Sequence, residues 1–192
     1  MVDSDRYPKV EVRSRAALRA WLAEHHAQPE GVWLVTYRKH TGDAYISKDE
    51  VLDELLAFGW IDGVARKVDD DRTMQLITPR RTHAWTASYR ARAVRLEAEG
   101  RLAEPGLRAI ALAKASGGWD AYPDVDALEI PADLGAALDS VRGARAWFEG
   151  AAPSYRSNVL RWIAKAQRPP TRASRIATVA ATAGRGERIR NL

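Results

Sequence analysis

An α+β protein is predicted, with a small antiparallel sheet and flanking helices in the N-terminal half and a helical C-terminal half. Three observations predict it. Val32-Trp33-Leu34-Val35-Thr36-Tyr37-Arg38 and two later runs are rich in β-branched and aromatic residues, the composition of strands. Apolar residues recur at helical spacing before and between those runs. From Thr82 onward only helical patterns remain, punctuated by Gly and Pro.

The elements follow in chain order. A first helix is expected from about Arg15 to His26, capped by Ser14, with Leu18, Trp21 and Leu22 on one face and Pro29 and Gly31 stopping the chain. The strand over 32–38 comes next, then a turn at Thr41-Gly42-Asp43. Ser47-Lys48-Asp49-Glu50 reads as a capping box, in which hydroxyl and carboxylate each accept an orphan backbone N–H. Val51, Leu52, Leu55, Leu56 and Phe58 give that helix its apolar face, and Gly59 closes it in a left-handed conformation. Trp60 to Val68 and Arg72 to Thr78 read as strands joined through Asp69-Asp70-Asp71. That triplet lacks the Gly and distal Glu of a calcium loop and fits an exposed turn.

Helices are then expected over Thr82–Glu99, ended by Gly100, and over Glu104–Ala115, opened by Pro105. Trp119 to Ile130 reads as a loop. Ala132–Val141, Ala144–Glu149, Ser154–Gln167 and Thr171–Ala183 read as helices, and the last residues as a frayed end. The expected organisation is an α+β domain over 10–122 and a basic helical subdomain over 131–185, with the boundary between Pro123 and Pro131.

Composition bounds the function. The 192 residues are 46% hydrophobic and 29% charged, which argues against wholesale disorder. With no cysteine, disulfides, zinc–thiolate sites and cysteine nucleophiles are excluded. No apolar run approaches the roughly 18 residues of a membrane span, and Met-Val-Asp-Ser-Asp-Arg-Tyr-Pro has no signal core. The expectation is a cytoplasmic protein without membrane insertion. His25 and His26 point about 100° apart on a helix, and His40 and His83 lack nearby acids at ligand spacing. There is no G-x-S-x-G, P-loop or G-x-G-x-x-G, so neither a metal nor a cofactor is expected.

Charge is unevenly spread. Residues 153–192 hold Arg156, Arg161, Lys165, Arg168, Arg172, Arg175, Arg185, Arg188 and Arg190 against Glu187, while the chain as a whole carries +5. A mildly acidic body with a basic C-terminal fifth is a partner signal or a solvated tail.

Three places could carry chemistry. In Phe58-Gly59-Trp60-Ile61-Asp62-Gly63, Asp62 is an acid among Trp, Ile and Gly, where desolvation would suit a general acid or base; alternatively it satisfies backbone N–H groups in a turn. In Thr78-Pro79-Arg80-Arg81-Thr82-His83-Ala84-Trp85, two arginines precede a helix capped by Thr82, an arrangement suited to phosphate or carboxylate. The alternative is pairing with Asp62 or the Asp69–Asp71 turn. Trp60 and Trp85 would wall the pocket, or lie in the core like the other tryptophans. Finally, Arg161, Lys165 and Arg168 on one helix and Arg172 and Arg175 at the start of the next form one basic surface or a solvated face. Nucleic acid is the weaker reading there, since Trp162 is the only stacking aromatic among the basic residues.

The constellation resembles the YdeI/OmpD-associated, or bacteriocin-protection, family. The resemblance rests on Trp33-Leu34 with Lys39, the run Phe58 to Gly63, Thr78-Pro79-Arg80-Arg81 and Trp85. It continues through Glu99-Gly100-Arg101, Gly106-Leu107, Trp119-Asp120, Ile163-Ala164-Lys165-Ala166 and Thr171 to Ile176, from about residue 10 to 185. Gln167-Arg168-Pro169-Pro170 departs from the shorter Lys-Pro-Glu-like stretch expected there. The resemblance implies bacterial stress response and protection against antimicrobial peptides or bacteriocins; it carries over no catalytic residue. The expected function is binding of an anionic small molecule or a protein partner by Arg80, Arg81 and Thr82, with Asp62 fixing orientation. The alternative is a metal-free enzyme in which Asp62 is acid or base and the arginines stabilise an anion.

Overall fold

The computed structural model describes residues 6–81 and 84–190. The chain divides into two units, Met1–Ala121 and Tyr122–Leu192. The first is built on a four-stranded sheet, β1 (Lys9–Glu11), β2 (Val32–Tyr37), β3 (Trp60–Lys67) and β4 (Arg72–Pro79), in the order β1-β2-β4-β3. The three longer strands are antiparallel, with Val32 opposite Ile77 and Asp62 also opposite Ile77 from the other side. Short β1, too brief to carry a periodic signal, adds to β2 in parallel, so the sheet is mixed at that edge.

The apolar run of β2 has a simple cause: both faces of the sheet are covered. Val32 and Leu34 enter a core with Leu18, Leu22, Leu55 and Trp60, whereas Trp33 and Val35 pack with Met74 on the other side. The first core is supplied by α1 (Arg15–His25) and α2 (Lys48–Ala57). Ser14 caps α1 by accepting from the Ala17 amide at 3.1 Å. Ser47 and Glu50 form the complete capping box of α2. Gly59, at φ 72°, turns the chain from α2 into β3 as expected. In the Asp69–Asp71 turn, Asp69 accepts from the Asp71 and Arg72 amides at 3.0 and 2.7 Å.

Two further helices complete this unit, α3 (Ala87–Ala98) and α4 (Glu104–Ala115). The helix expected from Thr82 opens instead at Ala87, because Thr86 takes the extended cap conformation and accepts from the Tyr89 amide at 3.4 Å. Thr82 and His83 lie outside the described residues. Leu56, Trp85, Ala93, Leu96 and Ile110 form a second cluster between these helices and α2.

The second unit is helical: α5 (Pro123–Asp126), α6 (Ala132–Asp139), α7 (Ala144–Gly150), α8 (Pro153–Ala164) and α9 (Pro169–Gly184). Its core holds Leu134, Leu138, Phe148, Val159, Ile163 and Val179. The segment expected to be a loop contains the single turn of α5, where Pro123 occupies the first turn. α9 begins at Pro169, before Thr171, and its cap is Arg168 rather than Thr171. A proline pair lacks only N–H groups that are orphaned in a first turn anyway, so it starts a helix well. α8 ends at Ala164, earlier than the expected Gln167.

Candidate functional site

Asp62 does not satisfy a turn. It sits within β3, where one carboxylate oxygen accepts from the Tyr89 hydroxyl of α3 and the other from Gln75 Nε2 of β4 at 2.9 Å. Strand pairing places Gln75 beside Asp62, and the Thr86 cap fixes where α3 begins and thus where Tyr89 points. Burial pushes the Tyr89 phenol well above its usual value, and the hydrogen bond to Asp62 acts in the same direction.

Arg80 completes the group. Its amide donates to the Gly59 carbonyl at 2.9 Å, which holds the residue beside the end of β4. Its guanidinium lies 4.1 Å from the Trp85 ring centre and 5.1 Å from that of Tyr89. One terminal nitrogen donates to the Ala84 carbonyl at 3.2 Å. The other terminal nitrogen and Nε are buried without a hydrogen-bond partner among the described residues, as is Trp85 Nε1. Burial lowers the Arg80 pKa, opposed by the nearby Tyr89 and Asp62, and guanidinium remains a cation at neutral pH in any case. The result is a desolvated cation with two donors of its own, and one on the neighbouring Trp85, that have no acceptor among the described residues.

The other expected site residues go elsewhere. Arg81 is exposed and donates to the Pro29 carbonyl at 2.6 Å, lining a separate groove with Ile61 and Thr78. Trp60 is 1% exposed, donates its indole N–H to the His26 carbonyl at 3.2 Å and meets Trp21 edge to face. With α3 opening at Ala87, neither Arg80 nor Arg81 stands at its N-terminus. Among the described residues, therefore, Asp62, Arg80 and Trp85 come together, and Arg81 and Trp60 do not join them.

In the second unit, the basic residues are largely engaged. Arg172 pairs with Asp133 at 2.7 Å, and their hydrogen bond holds the Asp133 carboxyl below its usual range. Arg175 donates to the Trp162 carbonyl and covers its ring at 5.0 Å. Arg161 donates to Ser157 and Asn158. Lys165 and Arg168 remain exposed at the ends of their helices.

Sequence reasoning missed Gln75 and Tyr89, since neither periodicity nor any motif joins them to Asp62 across strand and helix. It also missed Asp53 and Glu54, the buried acids of α2. Asp53 meets Arg92, Arg95 and Arg101 at 2.5, 2.6 and 3.2 Å, and Glu54 meets Arg15 and Arg19 at 2.6 and 2.8 Å. An acid pair late in a helix with an apolar face, Asp53-Glu54, was the only signal available. Among the described residues no group of His, Asp and Glu is arranged to hold a metal ion, and no helix is long and apolar enough to cross a membrane.

Residues 10–109 match the family model described as a domain of unknown function, DUF8412. Residues 127–186 match the model described as Bacteriocin-protection, YdeI or OmpD-Associated. The likeness to that second family is thus carried by the C-terminal part of the chain; the segment holding Asp62, Arg80 and Trp85 falls in the first match. Neither a curated protein nor a solved structure matches the chain.

Proposed function

Since the match over residues 10–109 spans more than half of its 192 residues, the chain belongs to the DUF8412 family, and we propose that its first unit binds an anionic small molecule at Arg80. The C-terminal match supports a bacterial protection-type protein as the setting for that binding. One observation carries the reading: Arg80 Nε, its free terminal nitrogen and Trp85 Nε1 are buried donors without acceptors among the described residues. Leaving a buried donor unpaired costs about 1–3 kcal/mol, and more when it is charged, so an incoming carboxylate or phosphate oxygen relieves an existing penalty. The Trp85 and Tyr89 faces hold the guanidinium plane in place before the ligand arrives.

Asp62 takes a positioning role in this reading. Both of its oxygens already accept hydrogen bonds, so it fixes Tyr89 and, through Tyr89, the ring against Arg80. The test is calorimetric titration with inorganic phosphate and small carboxylates at fixed ionic strength, on wild type, Arg80→Gln and Arg81→Gln. Saturable binding of one anion, lost in Arg80→Gln and kept in Arg81→Gln, is expected. Equal affinity in all three proteins would reject the site. A thermal shift gives the same answer, because ligand at about 100 times its Kd stabilises by roughly 2.7 kcal/mol.

A further inference from the structure

A second site does not have Arg80 in its lining. A groove of about 490 Å³ runs beside the start of β2 and the end of β4, with Arg6, Arg81 and Glu30 as its charged lining and Tyr7, Ile61 and Pro79 as its apolar lining. That volume is within the range of small-molecule sites, about 300–1,000 Å³. The groove is built on tightly packed backbone: a Cβ on Gly31 would come within 2.6 Å of the Ile77 carbonyl oxygen. Its charges are not spent on one another. Arg81 makes its hydrogen bond to the Pro29 carbonyl, and the Arg6 guanidinium lies 5.3 Å from the Tyr7 ring centre. No ion pair within 4.0 Å joins Glu30 to either arginine, and Glu30 has no side-chain partner among the described residues.

Two cations and one anion that line one groove without pairing suit a ligand that carries both signs itself. We infer that this groove binds a small zwitterion, with a free carboxylate against Arg6 and Arg81, a free ammonium against Glu30, and an apolar frame along Tyr7, Ile61 and Pro79. This is the chemistry of an amino acid or a dipeptide. Guanidinium groups recognise carboxylate by charge-assisted hydrogen bonds, and a carboxylate does the same for ammonium. Glu30 supplies the discrimination, because a simple anion would meet its negative charge with nothing to offset it.

The test is NMR titration of the amide resonances of Gly31, Ile61 and Thr78 with the dipeptide Ala-Leu, its N-acetyl form, its C-terminal amide, and leucine. Saturable shifts with Ala-Leu or leucine are expected, and whichever of the two binds more tightly identifies the size of the zwitterion. The acetylated and amidated dipeptides, each missing one charge, should bind at least about tenfold more weakly. Glu30→Gln should remove the preference for the free ammonium, and Arg81→Gln the preference for the free carboxylate. Equal affinity for all dipeptide forms, or shifts that neither substitution alters, would overturn the inference. Arg80→Gln should leave these shifts unchanged, so the groove and the Arg80 site stand or fall separately.

Discussion

Replacing Glu54 by Gln removes a negative charge from the centre of the first unit while preserving shape. The Glu54 side chain is 2% exposed and is held by Arg15 Nε at 2.6 Å, Arg19 at 2.8 Å and Arg101 at 3.5 Å. Breaking one side of a buried ion pair costs about 3–5 kcal/mol, because the remaining charge is left uncompensated. Here the three arginines retain 33%, 42% and 29% exposure, so they can recover water, and Gln still offers one acceptor. The expected loss therefore lies at the low end, about 3 kcal/mol. With a urea slope of about 2 kcal/mol/M, the midpoint should fall by roughly 1.5 M with the slope unchanged. Glu24→Gln, at an exposed site on α1, is the control and should stay within about 0.5 kcal/mol of wild type. A midpoint for Glu54→Gln no lower than that of Glu24→Gln would refute a stabilising role for the ion pairs by which Glu54 of α2 holds Arg15 and Arg19 of α1.

The glycines provide a second test. A Cβ at Gly106 would lie 2.4 Å from the Ala57 carbonyl oxygen, whereas one at Gly143 meets nothing within 4 Å and suffers only its φ of 78°. Gly143→Ala should cost about 1–2 kcal/mol and Gly106→Ala clearly more, measured in the same urea series; the reverse order would show that α4 does not approach α2 that closely. In the capping box, the hydrogen bonds from Ser47 lower the Glu50 pKa below the usual 4.5. Its stabilisation is thus present above about pH 4.5 and lost as pH falls through the depressed folded value. The stability gap between wild type and Glu50→Gln should accordingly narrow on acidification, and a gap independent of pH between 7 and 3 would contradict the box. Tyr89 works in the opposite direction. Its raised pKa makes its contribution full below the ordinary phenol value of 10.0 and lost as pH rises beyond it. In an ultraviolet titration of the folded protein, the last component to ionise should be missing in Tyr89→Phe, while the delay that the hydrogen bond to Glu11 gives Tyr37 remains.

Local chemistry was legible in the sequence wherever neighbours along the chain determine it. Ser14, the Ser47–Glu50 box and Gly59 announce their elements because caps and left-handed turns depend on a few adjacent residues. Strand β1 was not legible: three residues carry no periodicity, and its pairing partner lies beyond the whole of α1. The start of α3 is not legible because Thr82 and Thr86 are equally good caps by type; Thr86 is the cap, and Trp85 just before it packs on Trp119. At the site, Asp62, Arg80 and Trp85 stood out as unusual residues in short motifs. Tyr89 and Gln75 did not, since only strand register and helix placement bring them to Asp62. The arginine pair could not be resolved from sequence, because Arg80 is drawn in under Trp85 while Arg81 reaches the Pro29 carbonyl.

If Arg80 holds an anion, its own nitrogen reports on that directly. The measurement is an NMR titration of the arginine Nε–H resonances with inorganic phosphate at constant ionic strength. A saturable shift of the Arg80 Nε–H, accompanied by the Trp85 indole N–H and absent from exposed arginines such as Arg168, is the predicted result. Uniform, non-saturating drift of all arginine signals, with Trp85 unmoved, would contradict it.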